Sequence, residues 1–338
     1  MRRRHHKRIQ ARVFRWVFPA LTLFGCAVSG QATTINVHYE SGVPSAAQAA
    51  FNTVIGAYES MFSNPITITL DVQFGSTGLA SSSTAVGTAA YATWRAEMIA
   101  ASEADPDNAY LAAAAASLSA SNPLGNGSVL LTYANALALG FGVPPVTYDS
   151  TLTFSNTANF EYTGVAAPGA YDFMNVAEHE LNEALGITST LTGIANGGAL
   201  PSAFAALDYF RYSSSGVRLV STNPNDQVYF SYNGATDVAQ FNQDNNAAGN
   251  AGADRNDWIY GNFGCPASSP GPYIQDAIGC PNSAIAFGPD SPESIVLQSL
   301  GYDLAAPEPA SIGLLSGGVA TLGLLRRKHL RVTHQSSR

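Results

Sequence analysis

Lysine is absent from residues 33–309, and arginine occurs there only four times, as Arg95, Arg211, Arg218 and Arg255. All 24 acidic residues fall in the same stretch, which therefore carries a formal charge of −20. A body of that sign repels phosphate backbones and anionic bilayers, which excludes a nucleic-acid-binding role. Charged residues make up only 12% of the 338-residue chain while apolar residues reach 46%, too many for a disordered polymer. No segment repeats at a spacing of 20–50 residues, which excludes a solenoid. Histidine is scarce: between the two ends of the chain only His38 and His179 occur. Cysteine occurs three times, as Cys26, Cys265 and Cys280.

The basic residues missing from the body are found at the ends. Seven lie in the first 15 positions, ahead of an apolar run from Trp16 to Val28 and the small residues Gly30 and Ala32. That order predicts a secretory signal over 1–32, with cleavage after Ala32. A lipoprotein signal at Cys26 is the alternative, but Phe24 is bulky for that motif. At the other end, Pro307-Glu308-Pro309 precedes sixteen apolar or small residues, Ala310–Leu325, and then Arg326-Arg327-Lys328. Such a segment is marginal as a membrane span, with its charges facing the cytoplasm. Residues 307–338 resemble the PEP-CTERM sorting tail of Gram-negative bacteria that make exopolysaccharide. The resemblance implies signal peptidase and an exosortase as processing partners, and a transient inner-membrane anchor. The destination it implies is the cell surface, the matrix or the medium. Removal of Cys26 with the signal leaves Cys265 and Cys280, an even pair that an oxidising compartment would join as a disulfide.

Between the ends, periodicity predicts an α+β chain forming one domain over 33–306. Residues 35–39 alternate as a strand, 44–62 show helical spacing, and 66–74 alternate throughout. Two Ala-rich helices are expected at 87–102 and 107–119, and a strand at 152–156. A helix over Asp172–Leu185 has Asp172 as N-cap and Gly186 as stop. Beyond it come short strands near 217–221 and 227–231, a polar stretch at 242–257 and a helix at 292–300. The polar stretch offers oxygen ligands for a structural Ca²⁺, although its spacing fits no EF-hand; a solvated loop is the plainer account.

The chemistry concentrates in Glu178-His179-Glu180-Leu181-Asn182-Glu183, which contains His179-Glu180-x-x-Glu183. Residues four apart share one helix face, so His179 and Glu183 can meet one ion. Imidazole and carboxylate are both competent ligands for Zn²⁺. Glu180 lies beside them, where it can deprotonate a metal-bound water. On a helical wheel Phe173, Ala177, Leu181 and Ala184 form the apolar stripe, while Asn175, Glu178 and Asn182 are expected to face water. A solvated helix carrying a His and two acids is the bland alternative. A catalytic zinc needs a third protein ligand. No downstream histidine precedes the tail, which leaves a carboxylate, a tyrosine oxygen or the distant His38. Asp208 is the expected third ligand, because a bare carboxylate in Leu207-Asp208-Tyr209-Phe210 would be costly to bury. Pairing with Arg211 or capping a turn would explain it equally well. Tyr209 and Tyr212 are candidate donors to a transition-state oxyanion.

Together with Leu207-Asp208-Tyr209-Phe210-Arg211-Tyr212, Tyr229-Phe230-Ser231, Asp257-Trp258 and Leu300-Gly301-Tyr302-Asp303, this helix resembles a family of exported zinc metalloproteases, many of them PEP-CTERM-tagged. The resemblance covers 165–305 well and 35–160 loosely. It implies a zincin-like domain of the metzincin or gluzincin type. A twisted sheet over 33–165 would stand above the active-site helix, with a loop-rich lower half over 166–306. It also implies His179 and Glu183 as ligands and Glu180 as base. Glu183 stands where the broader clan has histidine, and the extra carboxylate favours harder ions such as Mn²⁺ or Ca²⁺. The function expected is an exported zinc endopeptidase acting on a protein or peptide, with strand 66–74 as the rim to which substrate adds. A non-catalytic matrix protein on the same scaffold is the first alternative. A polysaccharide hydrolase using Glu180 and Asp208 as paired carboxylates is the second.

Overall fold

The computed structural model describes residues 32–164, 168–199, 201–243, 254–259, 273–281, 285 and 287–305. The sorting tail, Cys265, most of the polar stretch and all but the last residue of the expected signal lie outside them.

Strand β1 (Thr34–Tyr39) leads into helix α1 (Ser45–Met61), whose Ala47, Ala50, Phe51, Val54, Ile55 and Tyr58 recur at helical spacing and are all buried. β2 (Thr67–Gly75) buries Ile68, Leu70 and Val72. The Ser/Thr/Ala run that follows forms two strands that periodicity does not reveal, β3 (Ala80–Thr84) and β4 (Val86–Ala90). Helix α2 (Tyr91–Ala104) consequently begins later than its composition suggests. α3 (Ala109–Ser117) starts at Asn108, whose side chain accepts from the Leu111 amide. β5 (Ser128–Thr132), α4 (Tyr133–Ala138) and β6 (Ser150–Ser155) come next, then the short strands β7 (Phe160–Glu161) and β8 (Tyr171–Asp172) and helix α5 (Phe173–Leu185).

Four of these strands form the main sheet in the order β1-β2-β6-β3. β1, β2 and β6 run parallel, and β3 closes one edge antiparallel to β6. β2 is therefore an inner strand, paired on both sides. The expectation that substrate adds to 66–74 fails for that reason: its amides and carbonyls are already committed to β1 and β6. A second sheet takes the order β4-β5-β9, where β9 is Ala203–Ala205.

After α5 the elements are short. They comprise α6 (Leu191–Ala195), a 3₁₀ turn at Ala206–Phe210, β10 (Arg211–Tyr212), β11 (Tyr229–Phe230), β12 (Ala239–Gln240) and α7 (Pro292–Ser299). The strand expected at 217–221 is reduced to one bridge between Tyr212 and Arg218. The chain is thus α+β, as its periodicity implies. No helix among the described residues is long and apolar enough to cross a membrane.

Helix α5 is enclosed on both sides. Phe173 enters the aromatic cluster of Phe74, Phe154 and Phe160 beneath the main sheet, with ring centroids at 6.1, 4.7 and 5.5 Å. On the opposite flank, Tyr58 of α1 donates to Asn182 Oδ1 at 2.7 Å. Asp172 caps the start by accepting from the Met174 amide at 2.9 Å. Gly186 ends the helix at φ +136°, and a Cβ there would stand 3.2 Å from the Asn135 side chain. Because neighbours cover these faces of the helix, Glu178 and Asn182 are buried rather than facing water.

Candidate metal centre

Within α5 the one-turn spacing brings His179 Nε2 within 3.8 Å of Glu183 Oε1. The third group to converge is Asp257, whose Oδ1 lies 3.4 Å from the same nitrogen. One ligand atom from each of the three residues falls within 4.8 Å of the other two. Two ligands at about 2.0–2.1 Å from a tetrahedral ion sit roughly 3.3 Å apart, so these separations suit a shared cation better than direct hydrogen bonds.

The other ring nitrogen settles the tautomer. His179 Nδ1 stands 3.0 Å from the Ile274 carbonyl oxygen, which can only accept, so Nδ1 carries a hydrogen and Nε2 is the nitrogen that a cation would bind in place of its proton. The carboxylates are held just as firmly. Glu183 Oε2 accepts from Ser82 of β3 at 2.6 Å, and Oε1 accepts from Asn256 at 2.8 Å. The same Asn256 amide donates to Asp257 Oδ1 at 3.2 Å, and Gln275 donates to that atom at 3.2 Å. One buried amide thus fixes the spacing of both acids.

Glu180, next to His179 on the helix, is buried, and its Oε2 has no hydrogen-bond partner among the described residues. Its carboxyl titrates well above the usual range, through burial first and then the neighbouring Glu183 charge. Asp257 is pushed up to about 8 by burial, against the pull of His179. Burial alone would lower His179, but Asp257, Glu180 and Glu183 outweigh it and raise the imidazole to about 9. These acids cannot all stay charged together; protons or a cation must neutralise them.

The centre opens into a cleft of about 720 Å³. Gly78–Ser82 of the β3 edge line one wall, α5 lines the floor, and residues 273–280 line the opposite wall. Cys280 in that wall is disulfide-bonded. Both other cysteines lie outside the described residues, so the pairing with Cys265 is outside them too.

Asp208 does not join the centre. Its Oδ1 accepts from Ser189 at 2.6 Å, and its Oδ2 accepts from the Thr190 hydroxyl at 2.9 Å and from the Thr190 and Ala205 amides at 3.1 Å. Its burial is explained by loop anchoring, with no need for an ion. The pairing of Glu180 with Asp208 fails with it. Tyr209 is also occupied elsewhere: it donates to Asn126 and accepts from Asn122, each at 3.1 Å, and it stacks near Tyr91 and Trp94. Tyr212 packs beneath Arg218. Neither tyrosine lines the cleft. His38 is no third ligand either; it joins Asp71 at 2.8 Å in a separate, largely exposed group with Glu40.

The acid missed in the sequence is Asp257. It closes the polar stretch 242–257, whose Asn/Asp/Gly content reads as solvated loop. The signal that marks it is the adjoining Trp258, which is buried. An acid fastened to a buried indole is drawn inward.

Compared with models of protein families, with curated proteins and with solved structures, the chain matches none.

Proposed function

We propose that this chain is an exported, zinc-dependent endopeptidase on a zincin-like scaffold, with His179, Glu183 and Asp257 as ligands and Glu180 as general base. The observation that carries the reading is the convergence of His179 Nε2 with two carboxylates at 3.4 and 3.8 Å, beside the unpartnered oxygen of Glu180. Donor chemistry fits the ion: one neutral imidazole and two carboxylates are all zinc-competent. A divalent cation held there would supply Lewis acidity toward a carbonyl and toward water.

The chain's own groups do the rest. Glu180 takes a proton from water in the cleft and returns it to the departing amine. β3 is a terminal strand of the sheet, and no described strand pairs with its outer edge. An extended peptide can add there, directly over α5, through backbone hydrogen bonds. The signal-like and tail-like ends and the disulfide at Cys280 support export.

Glu180→Gln is the direct test. Peptide hydrolysis is expected to fall by about 10²- to 10⁴-fold while one equivalent of zinc is retained. Full turnover in that variant contradicts the mechanism. Zinc retention in the wild type without any turnover favours the matrix-protein alternative.

A further inference from the structure

Six acids line the cleft: Asp172, Glu180, Glu183, Asp254, Asp257 and Asp276. Apart from His179, the chain has almost nothing with which to balance them. Lysine is absent from 33–309, so the four arginines are the only permanent cations of the body. None lines the cleft. Arg95 donates to the Leu118 carbonyl at 3.0 Å, Arg211 lies over Phe241, Arg218 lies over Tyr212, and Arg255 donates to Gln243 at 3.0 Å. A divalent ion offsets two charges, and Asp172 is met by the N-terminus of α5 that it caps. Glu180, Asp254 and Asp276 remain, and Asp276, raised to about 8 by burial, keeps a proton until a cation takes its place.

We propose that this excess selects the substrate: a peptide carrying lysine or arginine beside the bond to be cut, its cationic head received by Asp276. The assignment rests on the peptidase reading. Asp276 uses Oδ2 to accept the Tyr273 amide at 2.9 Å, which leaves Oδ1 for a ligand. Tyr171, Val176 and Ile278 line the same cleft and offer an apolar track for a long aliphatic stem. A second observation marks the cleft as a ligand site: among the described residues the buried Glu180 Oε2 meets no donor. An acidic peptide would bring further negative charge into a low-dielectric cavity and be rejected.

The test uses matched fluorogenic peptides that differ only at one flanking position, as Lys, Gln or Glu, with the full zinc-loaded chain. At low salt, kcat/KM for the Lys peptide is expected to exceed that for Gln by about tenfold, with Glu lowest. The gap should narrow as ionic strength rises, a readout that needs no variant. Asp276→Asn should shrink the Lys/Gln ratio without changing zinc content. Equal cleavage of the three peptides overturns the assignment and leaves the peptidase standing. Two bound zinc ions at the centre also overturn it, because metal would then neutralise the acids. Anisotropy with the Glu180→Gln variant separates the remaining case. If the Lys peptide binds more tightly than the Glu peptide while the wild type cuts neither, the peptidase reading fails and the cationic ligand stands.

Discussion

At the scale of single residues, Asp208 and Asp257 show how one burial argument can point to two roles. Both are buried acids. Asp208 spends its lone pairs on Ser189, Thr190 and Ala205, whereas Asp257 shares one oxygen with Asn256 and Gln275 and turns it toward His179. Asp208→Asn is therefore expected to lower stability by about 2–4 kcal/mol, measured by denaturant unfolding, because an amide would face donors already in place. Zinc affinity of the folded variant should stay at the wild-type level. His179, Glu180 and Glu183 were legible in the sequence because helical spacing fixes their mutual geometry. Asp257 was not, since only tertiary folding brings the end of a polar stretch under the helix.

Among the elements, α5 carries the centre, and its ends are set by local chemistry. The Asp172 cap and the Gly186 stop were both readable from residue type. At Gly186 the positive φ disfavours any side chain, and a Cβ would meet the Asn135 side chain at a tight 3.2 Å. Gly186→Ala should cost about 1–3 kcal/mol in chemical denaturation and lower the melting temperature. What could not be read was the surroundings of the helix. A wheel with polar Glu178 and Asn182 suggests a wet face, yet α1 closes over it through Tyr58. β3 was equally hidden. Its Ala80-Ser81-Ser82-Ser83-Thr84 has no apolar alternation, because an edge strand whose inward Ser82 holds the Glu183 carboxylate does not need one. The long alternation of 66–74 was legible as a strand, but its inner place in the sheet follows from partners far along the chain.

For the whole molecule, charge is the governing feature. Glu178, Asp257 and Asp276 are each raised to about 8 and His179 to about 9, with burial first for the three acids and carboxylate neighbours for the imidazole. In every case the fold holds a proton that the unfolded chain releases earlier. Stability from these groups is complete below the unfolded pKa values and is lost as pH rises through the folded ones. Each tilts stability by up to about 1.4 kcal/mol per pH unit inside its window. The metal-free protein should therefore melt at progressively lower temperature between pH 5 and pH 9. Saturating zinc should flatten that slope, since the cation replaces protons at His179 and Asp257; a metal-free melting temperature that rises across this range contradicts the account. The most direct measurement is calorimetric titration of metal-free protein with zinc, comparing the wild type with Asp257→Ala. One equivalent bound with release of protons, and affinity weakened by at least about 100-fold in the variant, is the outcome expected of a three-residue centre. An Asp257→Ala chain that binds zinc as tightly as the wild type would show that these three side chains do not share an ion.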